Sequence, residues 1–247
     1  MKVYDSHSDI FYNLAFREEN DPFEKYHLDD LQKGHIVGGI WVVYSDADFD
    51  VIEAYKRALE KYKPYKDQFD VIYGLEGLRN VKTLEELDTL YKMGIRHAML
   101  TWNEENHLAT GAKANPERGI TNLGIEFIKY MNEHNMIIDV SHLNEKSFYE
   151  VLAQKPKILI ASHSNAYALS NHVRNLKDGA GIGDHSPRTL VPHQRHDALD
   201  GVGSLGAYDG GLDGDVAADL QLGGVDDACL ADGKLQLVNL HLEHALC

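Results

Sequence analysis

The sequence predicts an α/β fold built on a parallel sheet. The form expected is a TIM-barrel-like (β/α)8 barrel, incomplete at about six βα units. Three observations predict it. Strand-like runs at residues 2–7, 35–44, 70–76, 95–102, 136–142 and 157–163 alternate with helix-like stretches. Four of those runs end on ionisable side chains, at the sheet edge where parallel α/β folds place their chemistry. The character of the sequence then changes near Asp178, which divides the chain into a βα portion, 1–178, and an atypical segment, 179–247.

The elements follow in order. The chain enters a strand pattern at once, at Met1-Lys2-Val3-Tyr4, and reaches His7-Ser8-Asp9. The run at 35–44 leads to a helical pattern over Val51–Tyr65, and Val71–Leu75 stops at Glu76. A helix over Thr83–Lys92 opens with a capping-box signature, Thr83 followed three residues later by Glu86. After the run at 95–102, Asn122 is placed to cap a helix over Asn122–Glu133. Its stripe of Leu123, Phe127, Tyr130 and Met131 is spaced to pack against a sheet. Ile137–Val140 leads to Ser141-His142, a helix pattern covers Asn144–Gln154, and Ile158–Ser162 stops at His163.

Bulk properties narrow the function. The 247 residues, 43% hydrophobic, are ordinary for a soluble globular protein and supply enough chain for a sizeable core. A net charge of -15 argues against a nucleic-acid partner, which needs a basic face. No apolar run approaches membrane-span length, and the early first strand leaves no room for a signal peptide. Cys229 and Cys247 are the two cysteines, so no disulfide framework is indicated. A cytoplasmic location is the expectation.

The strand-end groups have metal-binding chemistry. His7 and Asp9, two apart on a regular strand, face the same way and offer one nitrogen and one oxygen ligand. Glu76 precedes Gly77, and its two oxygens suit it to bridge two ions. His142 and His163 occupy equivalent places on adjacent strands. Such a set holds two divalent ions that share a water and polarise the bond it attacks.

Several separate motifs then resemble one family. They are Asp5-Ser6-His7-Ser8-Asp9, Leu75-Glu76-Gly77, and Met93-Gly94-Ile95-Arg96 leading to Leu100-Thr101-Trp102-Asn103. Gly119-Ile120-Thr121-Asn122-Leu123-Gly124 and Met131-Asn132 precede Asp139-Val140-Ser141-His142. Ser162-His163-Ser164-Asn165-Ala166 and Arg174-Asn175-Leu176 complete the series. From about Asp5 to Asp178 the chain resembles the membrane dipeptidase (renal dipeptidase) family, the M19 metallopeptidases. The resemblance implies a zinc-dependent barrel hydrolase that cleaves dipeptides through a binuclear metal-bound hydroxide. His7 and Asp9 would bind one zinc, His142 and His163 the other, with Glu76 bridging and serving catalysis. Arg174 matches the arginine that grips the substrate's terminal carboxylate, for which a planar guanidinium is suited. Asn103 is positioned in the motif to donate a hydrogen bond to substrate.

Two departures shape the expectation. Trp102 stands where well-studied members carry a histidine that stabilises the tetrahedral intermediate, and His107 is near only in sequence. The family also continues through two more strands to a Gly-Ser-Asp-Phe-Asp-Gly motif, whose Asp assists proton transfer. Residues 179–247 hold more than half of the 21 glycines and give no counterpart; Asp209, Asp213 and Asp215 read as loop acids. Shifted by one nucleotide, codons for Asp219–Gly224 permit Ile-Cys-Ser-Leu-Gly, a string like one in the family, so the segment reads either as a frameshifted product or as a disordered, low-complexity tail. Two other readings stay open: an amidohydrolase-like barrel acting on cyclic amides or phosphoesters, and an inactive remnant that binds metal. An open sheet edge would also favour a homodimer. Two outcomes are expected. Sequencing the coding DNA should reveal a single insertion or deletion that restores the late motif. The zinc-supplied chain should hydrolyse a simple dipeptide far more slowly than the enzyme median, on the order of 10 per second.

Overall fold

The computed structural model describes residues 2–177. Six strands run parallel and pair in chain order: β1 (Val3–Ser8), β2 (Ile36–Tyr44), β3 (Asp70–Glu76), β4 (Ile95–Met99), β5 (Ile137–Asp139) and β6 (Leu159–Ile160). Helices α3 (Val51–Tyr62), α4 (Leu84–Lys92), α5 (Asn122–Glu133) and α6 (Glu145–Ala153) connect successive strands from β2 onward. Two short helices, α1 (Ile10–Phe16) and α2 (Asp29–Lys33), lie between β1 and β2. They fall outside the helices read from periodicity, being too short to build a stripe.

The local signals explain most boundaries. Thr83 caps α4 as its sequence signature requires, accepting from Glu86 N at 3.3 Å, while the Glu86 carboxylate reaches one residue beyond the cap, to Lys82 N at 2.5 Å. The cap of α5 is Thr121 rather than Asn122: the Thr121 hydroxyl accepts from Gly124 N at 3.0 Å, and Asn122 is the first helical residue. α3 stops at Tyr62, and Lys63–Tyr65 form a separate 3-10 turn in which Pro64 needs no amide donor. β5 and β6 are much shorter than the apolar runs that contain them. The chain leaves the ladder early and turns, so His142 and His163 sit just beyond the strands instead of on them.

Strand alternation divides the core in two. Trp41, Val43, Leu75, Ile95, Ala98 and Ile138 face the helices, where they join Phe11, Tyr55, Tyr62, Phe127 and Met131. The opposite face of the sheet encloses a small plug of Ile40, Val42 and Ile160, flanked by Ile72 and Ile137. Apolar side chains thus occupy both faces, as an all-parallel sheet requires. The sheet curls around the plug until its first and last strands approach at their carboxyl ends, where the Ser6 hydroxyl donates to Ser162 O at 3.0 Å. This is a curled half-barrel of six strands. Strands seven and eight, the frameshift reading and the loop acids Asp209, Asp213 and Asp215 all concern positions outside the described residues. Among the described residues no helix is long and apolar enough to cross a membrane.

Phe11 is central to the outer layer, fully buried against the rings of Trp41, Tyr55, Tyr62 and Tyr73. Phe11→Ala is expected to cost about 3–5 kcal/mol through lost transfer energy and the cavity left behind. Urea denaturation of the metal-free protein is the measurement.

Candidate metal centre

The carboxyl mouth of the sheet collects the predicted groups. β3 carries Glu76 at its end, held by a long register with β2 that pairs Gly38 with Asp70 and continues to Tyr44 opposite Glu76. Gly77 follows at φ 82°, with the Trp102 backbone so close that a Cβ would lie 2.9 Å from its nitrogen. Only glycine meets both demands. Glu76 is thereby presented as a buried carboxylate, 4% exposed.

Three imidazoles surround it. Glu76 Oε1 lies 2.6 Å from His142 Nε2 and 3.4 Å from His163 Nε2, whereas Oε2 lies 3.4 Å from His7 Nε2. The Nε2 atoms of His142 and His163 are 2.7 Å apart, and the rings of His7 and His163 are 4.0 Å apart between centroids. His7, Glu76 and His163 each offer a ligand atom within 4.8 Å of the others. Asp9 is not on β1; it precedes α1 and is half exposed, with Oδ1 3.6 Å from His7 Nε2. His7, Asp9, Glu76, His142 and His163 are thus brought to one end of the sheet.

The backs of the ring ligands are held as well. His142 Nδ1 meets Asn103 Oδ1 at 3.0 Å, and His163 Nδ1 meets the Ser162 hydroxyl at 2.8 Å. Each contact leaves Nε2 aimed at Glu76. His142 has φ 72°, an uncommon conformation for a residue with a side chain, and its carbonyl accepts from Ala112 N at 2.7 Å. Arg174 is half-buried, and its positive charge opposes protonation of His142. Trp102 lies with its ring 6.1 Å from that of His142 and continues outward to Tyr44 and Tyr12. His107 points elsewhere, to the carbonyl of Val81 at 2.9 Å.

The charges are coupled. Burial works to raise the Glu76 carboxyl, but the imidazoles of His7 and His142 outweigh it and hold Glu76 well below the usual range. Burial acts the other way on the histidines: it pushes His142 down, and together with the charge of His7 it takes His163 to about 3. His7 is raised in spite of its burial, because the negative charge of Glu76 faces it.

This donor set fits a divalent metal. Several nitrogen donors converge on one carboxylate whose two oxygens face different imidazoles, an arrangement that hydrogen bonding alone would not need. Two further members of the surroundings are His97, which the sequence reading did not single out, and Asp139, which it quoted in a motif without giving it a role. They are fully buried just beneath the cluster, with His97 Nε2 2.9 Å from Asp139 Oδ2. The signal available was an acid ending the apolar run Ile137-Ile138, on the face opposite Ile138.

The fold is of the α/β barrel class, with a candidate metal site at the carboxyl mouth of the sheet. Residues 63–180 match the sequence model of the membrane dipeptidase family, peptidase family M19. An uncharacterized dipeptidase, C965.12, from Schizosaccharomyces pombe is 38% identical over 113 residues, covering 44% of this chain and 27% of that protein. Among solved structures, dipeptidase AC, a metallopeptidase of family M19, superposes with a TM-score of 0.61 at 22% identity, over 72% of this chain and 67% of its own. A Rhodobacter sphaeroides metallopeptidase, liganded with a phosphinate mimic of the dipeptide L-Ala-D-Ala, gives a TM-score of 0.58 at 20% identity, over 72% and 69%. These structural likenesses establish the fold. The match to the fission yeast protein spans about a quarter of that protein's length.

Glu76→Gln keeps the shape of the side chain and removes the charge that offsets bound cations. Metal content after dialysis should fall sharply while thermal stability changes little; full occupancy in the variant would make Glu76 a strand-end carboxylate and nothing more.

Proposed function

We propose that this chain is built for metal-dependent hydrolysis of dipeptides, with two zinc ions bridged by Glu76. One ion would be held with His7 and Asp9, the other with His142 and His163. The observation that carries this reading is the division of Glu76, one oxygen toward His142 and His163 and the other toward His7. The family match over residues 63–180 and the dipeptide mimic bound to the Rhodobacter sphaeroides neighbour support the substrate class. Divalent ions bound there would supply a polarising charge at the scissile carbonyl and lower the pKa of water.

The chain's own residues supply selection and orientation. Arg174 pairs with the free carboxylate at the C-terminal end of the substrate, which excludes C-terminally extended or amidated peptides from that position. The Asn103 side-chain oxygen accepts from His142 Nδ1, which leaves its amide N–H groups as donors toward the substrate. Trp102 and Tyr44 wall the mouth on one side and restrict water there. The two-cysteine composition, without a disulfide framework, supports a cytoplasmic setting.

A panel test separates the readings. Zinc-loaded protein, incubated for hours, should release amino acids from dipeptides and leave lactones and phosphotriesters intact. It should bind a phosphinate dipeptide mimic, and Arg174→Ala should weaken that binding at least about 10-fold. Preferential turnover of lactones or phosphotriesters would replace this reading with an amidohydrolase-like one. Bound zinc with no hydrolysis of any substrate would make the chain a metal-binding remnant.

A further inference from the structure

Beneath the ligand cluster lies a polar pair that the reading above does not use. Asp139 ends β5 and His97 lies on β4, both fully buried between the apolar plug and the mouth. One Asp139 oxygen, Oδ2, faces His97 Nε2 at 2.9 Å. The other, Oδ1, accepts from Ser141 N at 2.9 Å and from Ser162 N at 3.3 Å. Ser141 and Ser162 are the residues immediately before His142 and His163. The serines tie the same two turns together once more, since His163 N donates to the Ser141 hydroxyl at 3.2 Å.

A buried carboxylate at this place needs a reason. An apolar side chain would continue the plug of Ile40, Val42 and Ile160 at lower cost, because a buried carboxylate is expensive unless hydrogen bonds compensate it. Room is also made for it: a Cβ on Gly74 would lie 2.5 Å from His97 Nδ1. The strands it joins are the two shortest, β5 with three residues and β6 with two, so ladder hydrogen bonds give their ends little support. His142 is further held at a positive φ, a conformation that persists only where its surroundings over-determine it.

We infer that Asp139, oriented by His97, is a positioning residue that fixes the two histidine-bearing turns against each other and so sets the geometry of the metal-ligating nitrogens. The inference rests on the metal-site reading of the cluster. It is specific about division of labour: Asp139 holds both turns directly, whereas His97 acts only through Asp139.

Zinc affinity by chelator competition, cobalt(II) absorption spectra and thermal unfolding in excess chelator test it on the full chain. Asp139→Ala should raise the zinc Kd on the order of 10–100-fold and change the cobalt spectrum. Asp139→Asn keeps an oxygen for the two backbone donors and should recover part of that loss. His97→Gln should give a smaller effect in the same direction, and it serves if the alanine variant does not fold. Leu87→Ala, a buried truncation on α4, supplies the control: it should lower the unfolding temperature and leave the Kd within about twofold. Unchanged zinc affinity in Asp139→Ala and His97→Gln overturns the inference alone, as does an affinity loss in Leu87→Ala that matches theirs at equal loss of stability. A wild-type chain that holds no metal overturns the metal-site reading and the inference with it.

Discussion

Glu76 carries a negative charge into a place with almost no water, and much of the surrounding architecture answers that fact. A carboxylate taken out of solvent needs opposite charge or several donors close by. No single element supplies them. β1 brings His7, the turn after β5 brings His142, and the turn after β6 brings His163. The curl of the sheet is what lets strands at opposite ends of the order reach one carboxylate. Glu76 itself is placed by the most regular part of the sheet, where the β2–β3 register runs without a shift.

The interior is layered by polarity along the strands. Aliphatic side chains from β2, β3, β5 and β6 line the inner face alongside His97 and Asp139, with Ile160 paired opposite Asp139, and the ligand cluster opens at the carboxyl end. Low polarity below the cluster strengthens every electrostatic interaction above it. The same low polarity penalises any group left unmatched. Burial would raise the carboxyl of Asp139, and the hydrogen bond and charge of His97 hold it low instead. Outside the mouth, the aromatic row from Tyr12 through Tyr44 to Trp102 continues the wall with half-buried rings.

The fold was legible because parallel βα units write themselves as alternating apolar runs and amphipathic stripes. The stripe of Phe127 and Met131 is buried as its spacing implied, and Thr83 caps its helix as its sequence signature implied. The helices of the β1–β2 connection were not legible, because seven residues in α1 and five in α2 cannot establish a period. At the site, residue type and strand-end position brought out His7, Glu76, His142 and His163. Asn103 was read only as a donor toward substrate, whereas its oxygen meets the back of His142, a contact that depends on how the long loop after β4 folds over the turn after β5. Asp139 and His97 escaped for a similar reason. Their pairing crosses 42 positions of sequence, and nothing local in either residue marks it.

The meeting of β1 with the turn after β6 also constrains the order in which this molecule can assemble. Each neighbouring strand pair joins segments that follow one another in the chain, so the sheet can grow by successive addition from the amino end. The Ser6–Ser162 contact, by contrast, closes a loop of 156 positions, and the His7–His163 ring contact closes another of the same span. Loop-closure entropy makes such long-range contacts late events. A chain emerging from the ribosome would thus build most of its scaffold while His7 still lacks His163 beside it. During that interval the charge of Glu76 is only partly balanced. A metal ion captured then would still lack His163, and the full affinity of the centre would arise only in the last step of folding.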